Sequence, residues 1–260
     1  MNATVNQAGN VASLEGKIAL ITGATSTFGI GRISARAMAM AGAYIFVTSR
    51  DPAKGADVVT EITADGGNAS FLRLDVTVEE EWAEAMELVR QKFGKLDILV
   101  NNAGNTNSTP IDEMPIETVW YMVHLNIEGA FLGQTYAWPL LKKSGGVILD
   151  INSGAGQSGA PGGTAYRSSK GGLLGLSRAA AVDGRRHGIR VISVHPGLTW
   201  TSGMERVRGR TQYDQDVLNV PLGRGAESAD VAAALVYLAS DDAQHITGIE
   251  YNIDGGSSAR

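Results

Sequence analysis

The sequence contains no cysteine, and it contains no long hydrophobic run. The first absence excludes disulfides, cysteine-ligated zinc and thiol nucleophiles, and it fits a reducing compartment. No apolar stretch approaches the roughly 18 residues that a membrane span needs. The opening residues, MNATVNQAGN, lack the basic start and the apolar centre of a signal peptide. We therefore expect a cytoplasmic protein that does not bind a membrane.

Positive charge is also scarce. The chain has 22 Lys and Arg against 27 Asp and Glu, a net charge of −5. The densest clusters of basic side chains are residues 185–186 and Arg206, Arg208 and Arg210, and neither extends into a stripe. We expect no nucleic-acid partner. The four histidines lack the spacing of metal ligands, so we also expect no metal site.

Glycine is abundant, with 33 residues against about 18 expected at ~7% usage. Seven short, largely apolar segments alternate with helical patterns, at residues 17–22, 43–48, 70–74, 98–100, 147–151, 190–194 and 249–253. Segments that are apolar throughout are typical of strands buried on both faces of a parallel sheet. This pattern predicts an α/β fold with a doubly wound, Rossmann-like parallel sheet of about seven strands. We expect one domain, residues 15–260, after a loose tail of residues 1–14.

Three helices can be placed from the pattern. Residues 78–93 carry apolar side chains at helical spacing, from Val78 and Trp82 to Phe93. An alanine- and leucine-rich helix at residues 229–239 follows Ser228, which we expect to be its N-cap. A helical pattern at residues 32–41 follows the first strand.

A glycine-rich turn, TGATSTFGIG at residues 22–31, joins that first strand to its helix. Glycine lets the backbone approach an anion, and the N–H groups of the helix N-terminus face it, so we expect a phosphate of a dinucleotide here. The second strand ends at Ser49 and Arg50, where an acidic residue would bind a ribose diol and repel a 2′-phosphate. A hydroxyl and a guanidinium there favour NADP(H), with NAD(H) as the alternative.

Further short motifs follow this turn. They are Asp75-Val76, Asn101-Asn102-Ala103-Gly104, Asn126, Ser153, Tyr166-x-x-x-Lys170, Pro196-Gly197 with Thr201, and Asp254-Gly255-Gly256. In order and spacing, residues 15–257 resemble the short-chain dehydrogenase/reductase family. The resemblance implies an enzyme that moves a hydride between a nicotinamide cofactor and a small ketone or secondary alcohol.

The resemblance also implies the site residues. The catalytic tetrad is Asn126, Ser153, Tyr166 and Lys170, in which Ser153 stands thirteen positions before Tyr166, as in the family. The cofactor contacts are Gly23, Thr25, Ser26, Gly29, Ile30, Gly31, Ser49, Arg50, Asp75, Val76, Asn102, Ala103, Gly104, Tyr166, Lys170, Pro196, Gly197, Thr199 and Thr201. Asn126 would hold a water that links Lys170 to solvent, and Lys170 would bind the nicotinamide ribose.

Tyr166 and Lys170 are four positions apart, so on a helix they share a face. We expect Tyr166 to be the general acid/base and Ser153 to donate a hydrogen bond to the carbonyl oxygen. An ammonium about 5 Å away would lower the pKa of a tyrosine from ~10 by about two units, to near ~7.5.

The glycine turn is two residues longer than the family's usual T-G-x-x-x-G-x-G and looks like that of enoyl-thioester reductases. Those enzymes, however, place their lysine where this chain has Leu173. Ketone/alcohol interconversion is therefore the leading prediction. Enoyl-thioester reduction and NAD(H)-dependent alcohol oxidation are the alternatives, followed by a dinucleotide-binding regulator without catalysis.

Three predictions concern the rest of the chain. Residues 202–221 fall where the family has a lid; we expect the lid arginines to face solvent, with contact to an acidic substrate as the alternative. Small residues at positions 171–181, together with the family's habit of pairing this helix between subunits, predict a homotetramer. We expect His195, just before Pro196, to have a packing role.

Overall fold

A computed structural model describes residues 12–259. Nine strands occur in this range: β1 (Ile18–Ile21), β2 (Tyr44–Ser49), β3 (Asn68–Arg73), β4 (Ile98–Asn101), β5 (Val147–Ile151), β6 (Arg190–Pro196), β7 (Thr199–Trp200), β8 (Ala226–Glu227) and β9 (Glu250–Ile253). Seven of them form one sheet in the order β3-β2-β1-β4-β5-β6-β9, with every neighbouring pair parallel. β7 and β8 pair separately. The predicted doubly wound parallel sheet is confirmed, as are all seven predicted strands.

Helices cover both faces of the sheet. They are α1 (Ile30–Met40), α2 (Pro52–Ala64), α3 (Glu79–Phe93), α4 (Ile116–Val123), α5 (Gly129–Leu141), α6 (Thr164–Gly184), α7 (Ser202–Val217) and α8 (Ser228–Ala239). α1, α2 and α8 pack on one face, and α3, α5 and α6 on the other, which gives two apolar cores. β1 and β4 lie between the cores, and each of their residues is buried. This explains why residues 18–21 and 98–100 are apolar throughout.

Two helix ends differ from the sequence prediction. α8 begins at Ser228, and its N-cap is Glu227, which forms a capping box with Asp230. The prediction that Ser228 is the cap is therefore wrong. The Ser228 hydroxyl instead donates to the carbonyl of Phe28 at 2.8 Å, which ties α8 to the glycine turn. α1 begins two residues earlier than predicted, at Ile30.

The chain enters the core within the segment predicted as a tail. Leu14 is fully buried among the residues under α1, and its N–H donates to the carbonyl of Ala41 at 2.8 Å. Residues 1–11, the rest of the predicted tail, lie outside the described residues. Within residues 12–259 no helix combines the length and the apolar composition needed to cross a bilayer.

The predicted lid segment folds mainly as α7. The Thr201 hydroxyl caps the helix by accepting the N–H of Met204 at 3.1 Å. At Gly209 the backbone leaves the helical region, with φ 68° and ψ 166°, so α7 is broken at its middle. Only glycine adopts such a φ without strain.

Candidate active site

The site lies where the sheet changes direction. β1 has β2 on one side and β4 on the other, so the connections from these strands leave toward opposite faces and open a crevice at their carboxyl ends. A cleft of about 1260 Å³ occupies this place. Every predicted cofactor contact lines it, as do Ser153, Tyr166 and Lys170 of the predicted tetrad. Asn126 does not.

The glycine turn presents backbone donors to the cleft. α1 has Gly29 as its N-cap, without a side-chain cap and without an acidic residue in its first turn, so the N–H groups of Ile30 and Gly31 remain available. Close packing against Asn102 explains why position 31 is a glycine. A Cβ at Gly31 would lie 2.4 Å from Asn102 Nδ2, whose amide donates to the carbonyl of Thr22 at 2.7 Å. Asn102 therefore holds the turn in shape.

Two cationic side chains follow the carboxyl end of β2. Arg50 is exposed, with Nη1 3.7 Å from Asp75 Oδ2, and Lys54 Nζ lies 3.5 Å from Asp51 Oδ2. All four residues line the cleft. Lys54 was not among the site residues predicted from the sequence. Its signal was present, because Asp51-Pro52 marks a helix start and position 54 then falls in the first turn beside Arg50.

Ser153, Tyr166 and Lys170 come together as predicted. Ser153 follows β5, and the other two lie one turn apart on α6. The Ser153 and Tyr166 side chains both line the cleft, and the Ser153 hydroxyl acts to lower the pKa of the Tyr166 phenol. The Lys170 ammonium donates to the carbonyl of Ile151 at 2.8 Å and lies 6.0 Å from the centre of the Tyr166 ring.

The electrostatics of this trio differ from the prediction. Loss of surrounding water raises the pKa of Tyr166, although the Ser153 hydrogen bond and the charge of Arg167 oppose the shift. Burial lowers the pKa of Lys170 to about 8, against the effect of the Asp150 carboxylate. The prediction that Lys170 brings the pKa of Tyr166 near neutrality is wrong for the protein alone, because desolvation is the largest effect on this pKa and the effects that oppose it come from Ser153 and Arg167.

Asn126 lies one layer behind the cleft. It sits in a π-helical turn, His124–Glu128, between α4 and α5. Its Oδ1 accepts the N–H of Asn105 at 3.0 Å, and its Nδ2 donates to Ser169 Oγ at 2.9 Å. A Cβ at Gly104 would lie 3.0 Å from Asn126 Oδ1 and 3.7 Å from Lys170 Nζ. The fourth tetrad residue therefore contacts the backbone that covers Lys170, and its predicted water contact stays a prediction.

His195 is part of a buried network that sequence reasoning missed. The ring is fully buried, as its expected packing role requires. Nδ1 lies 3.0 Å from the Ser153 carbonyl and Nε2 2.8 Å from Ser193 Oγ, which also accepts from Asn152 Nδ2 at 3.1 Å. A carbonyl only accepts, so Nδ1 carries the proton and Ser193 donates to Nε2. Burial lowers the pKa of His195, which keeps the ring neutral. The available signal was the i, i+2 spacing of Ser193 and His195 on one strand face.

A second missed group is Asp150, a carboxylate buried completely in β5. Asn101 Nδ2 and Gln134 Nε2 each donate to it at 2.8 Å, and Ser177 Oγ donates at 2.6 Å. Burial raises the pKa of Asp150 despite these donors. A charged residue inside an apolar strand was its sequence signal.

Polar side chains and arginines surround the cleft beyond Tyr166. The loop after β4 supplies Asn105, and α7 supplies Arg206, whose Nη2 donates to Asn105 Oδ1 at 2.8 Å. Arg206 is exposed, as expected, but it reaches across the cleft. Among residues 12–259 no group of three or more His, Cys, Asp or Glu side chains could hold a metal ion.

Known proteins share this sequence pattern. A family profile described as enoyl-(acyl carrier protein) reductase matches residues 23–258. Cyclopentanol dehydrogenase of Comamonas sp. is 35% identical to the chain, over 94% of the chain and 97% of the relative.

Solved structures share the fold. A 7α-hydroxysteroid dehydrogenase in complex with NADH and 7-oxo glycochenodeoxycholic acid is 34% identical, with a TM-score of 0.89, over 94% of this chain and 95% of that one. A gluconate 5-dehydrogenase from Burkholderia cenocepacia in complex with NADP and tartrate is 27% identical, with a TM-score of 0.90, over 95% and 97% of the two chains.

Proposed function

The chain belongs to the short-chain dehydrogenase/reductase family, and from this premise we propose that it is an NADP(H)-dependent oxidoreductase that interconverts a ketone and a secondary alcohol. The observation that carries the proposal is the meeting of Ser153, Tyr166 and Lys170 at one place in the cleft. The cyclopentanol and hydroxysteroid dehydrogenases among its relatives support an alcohol as the reduced substrate.

The cleft fits a dinucleotide phosphate in shape and in donors. The uncapped start of α1 offers N–H groups for a pyrophosphate, and Lys170 would bind the nicotinamide ribose. Arg50 and Lys54 support a 2′-phosphate and thus NADP(H) over NAD(H). When bound, the nicotinamide supplies or accepts the hydride.

The side chains carry the proton chemistry. In reduction, Tyr166 gives its phenolic proton to the oxygen of the former carbonyl; in oxidation the phenolate takes that proton back. Ser153 donates a hydrogen bond to the same oxygen as negative charge develops on it. With a pKa of about 8, Lys170 is mainly charged at neutral pH, so it favours the phenolate whenever Tyr166 loses its proton.

Enoyl-thioester reduction is the second candidate. The long glycine turn and the description of the matching family profile favour it. The position of Lys170, one turn after Tyr166 on α6, favours ketone chemistry. Preferred consumption of an enoyl thioester would reverse the order of the two.

We further propose a cytoplasmic homotetramer. Large apolar side chains are exposed on three helices: Trp120 at 56% on α4, Phe131 at 53% on α5 and Val182 at 70% on α6. Exposed apolar surface is typical of an interface, and further copies of the chain would bury these side chains. Light scattering is expected to give four times the mass of the chain. A monomer at working concentration contradicts this proposal.

The function is tested by following NADPH absorbance over a panel of ketones and one enoyl thioester, with NADH in parallel. We expect ketone turnover that is faster with NADPH. Tyr166→Phe should lower kcat about 10²–10⁴-fold, the usual contribution of a general acid/base. Tyr237→Phe, a matched change at an exposed position of α8, should retain activity. Full activity in Tyr166→Phe would contradict the mechanism, and equal rates with NADH would contradict only the cofactor preference.

A further inference from the structure

The substrate end of the cleft carries positive charge that the protein does not neutralise. Arg167 donates to the main-chain carbonyls of Ser158 at 2.9 Å and Ala155 at 3.4 Å, and Arg206 donates to the amide oxygen of Asn105 at 2.8 Å. Within residues 12–259 neither guanidinium lies within 4.0 Å of a carboxylate. Arg208, Arg210 and Arg224, in contrast, each form an ion pair with an aspartate. Two cations therefore face the cleft with neutral partners.

The other arginines of α7 are engaged differently. Arg208 lies 3.9 Å from the carboxylate of Asp216, and Arg210 lies 2.9 Å from that of Asp214. Arg210 also stacks on the Trp200 ring, 5.0 Å from its centre. Arg206 has five N–H groups, of which Asn105 takes one. It is therefore the arginine of α7 that lines the cleft without a carboxylate within 4.0 Å, and four of its N–H groups remain for a ligand.

The acidic residues at this end of the cleft are occupied as well. Asp216 faces Arg208. Asp254 accepts the N–H groups of Gly256 at 3.0 Å and Ser258 at 2.8 Å. Arg167, Arg206 and Arg208 outnumber Asp216 and Asp254 along this end of the cleft, which is therefore a local positive site in a chain with a net charge of −5. Such a cleft attracts anions and rejects cations.

We propose that the substrate is an oxo acid and its hydroxy acid, with a carboxylate held by Arg206 while the carbonyl carbon lies at Ser153 and Tyr166. This rests on the proposed function, and it adds the class of the substrate. A guanidinium binds a carboxylate through two parallel N–H···O bonds, roughly twice as strong as bonds between neutral groups. The carboxylate therefore replaces the amide of Asn105 as the preferred partner of Arg206. It takes no part in the reaction, in which the carbonyl carbon gains the hydride and its oxygen the proton of Tyr166.

Matched pairs of acid and ester test the proposal. The probes are 4-oxopentanoate, 5-oxohexanoate and 4-oxocyclohexanecarboxylate, each beside its methyl ester, which keeps the ketone and removes the charge. We expect at least one acid to exceed its ester tenfold or more in kcat/KM, with the difference mainly in KM. Salt should reduce the advantage because the interaction is ionic.

Variants locate the effect. Arg206→Ala should abolish the acid's advantage over its ester, because kcat/KM for the acid falls at least tenfold more than kcat/KM for the ester. Arg206→Lys should retain part of the advantage, since a lysine keeps the charge but cannot form two parallel hydrogen bonds to a carboxylate. Arg210→Ala, on the same helix but engaged by Asp214 and Trp200, is the control and should keep the advantage. An acid preference unchanged in Arg206→Ala, or equal kcat/KM for every acid and its ester, overturns the proposal.

A binding measurement separates this inference from the proposed function. Calorimetry follows the titration of each oxo acid into the Tyr166→Phe protein saturated with NADPH, with and without Arg206→Ala. Binding that depends on Arg206, without turnover of any ketone by the wild-type protein, supports the anion site and overturns the ketone reaction. Turnover of ketones without Arg206-dependent binding of any acid supports the reaction and overturns the anion site.

Discussion

The two sides of the cleft are built in opposite ways. On the strand side, His195 and Asp150 are fully buried, and each accepts or donates at least two hydrogen bonds. On the α7 side, Arg206 is exposed, holds one neutral partner, and belongs to a helix broken at Gly209. Proton transfer needs fixed atoms, whereas selection of a substrate tolerates a mobile contact. The difference agrees with the proposed roles, in which the strand side carries the chemistry and α7 recognises the substrate.

Removal of the Ser153 hydroxyl is the strongest test of this division. Ser153→Ala should lower kcat about 10²–10³-fold, the usual loss for one donor to a developing oxyanion. The matched truncation on the α7 side, Met204→Ala, should change kcat by no more than about threefold. Steady-state kinetics with one ketone measures both. Equal losses in the two variants would remove the distinction between the two sides.

Disruption of the His195 network should have the next largest effect. His195→Leu leaves the Ser153 carbonyl and the Ser193 hydroxyl without their partner, which costs about 1–3 kcal/mol of stability. We expect kcat to fall about tenfold at unchanged KM for the ketone, since 1.4 kcal/mol in the barrier is a factor of about ten.

A double-mutant cycle shows whether His195 acts through Ser153. In the Ser153→Ala background, His195→Leu should lower stability again but cause little further loss of kcat. Additive losses in kcat would show that His195 acts independently of Ser153.

Replacement of Asp150 should change a pH profile more than a rate. Burial lowers the pKa of Lys170 to about 8, and the negative charge of Asp150 opposes this shift. Lys170 therefore loses its charge as the pH rises through about 8, and kcat/KM for NADPH should fall there. Asp150→Asn removes the negative charge that raises the pKa of Lys170. The fall of kcat/KM at alkaline pH should therefore begin at a lower pH in this variant. Asp97→Asn, a buried carboxylate before β4 that accepts the N–H of Ile18, is the control and should leave that pH unchanged.

The smallest effect is expected at the break in α7. Gly209 has φ 68° and ψ 166°, a conformation that essentially only glycine adopts, and no atom lies within 4 Å of a built Cβ. Gly209→Ala therefore suffers backbone strain of about 1–3 kcal/mol without a clash. Because α7 contributes little to either core, the melting temperature should fall by no more than about 4 °C. Gly203→Ala, in the helical first turn with its nearest atom at 3.7 Å, should leave it unchanged or raise it. A large fall for Gly209→Ala would show that α7 is part of the rigid body.

The strands, and the sheet edge at which the cleft lies, were predictable because local sequence patterns determine them. The apolar segments at residues 98–100 and 147–151 had to be buried on both faces, and parallel strands bring their carboxyl ends to one edge. The contacts of His195 with Ser153 and of Arg206 with Asn105 were not predictable, because they join residues 42 and 101 positions apart. The cap at Glu227 was missed because its capping box uses an acid instead of the expected hydroxyl.

The sequence by itself determined the parallel sheet, the glycine turn at its centre and the Tyr166–Lys170 pair one helical turn apart. These depend on strand burial, on glycine's backbone and on helix periodicity, all of which act between near neighbours. Only the tertiary structure decided the protonation of the site. Burial raises the pKa of Tyr166, lowers that of Lys170 to about 8, and keeps His195 neutral. Desolvation depends on every element packed around a group, and no local pattern contains that information.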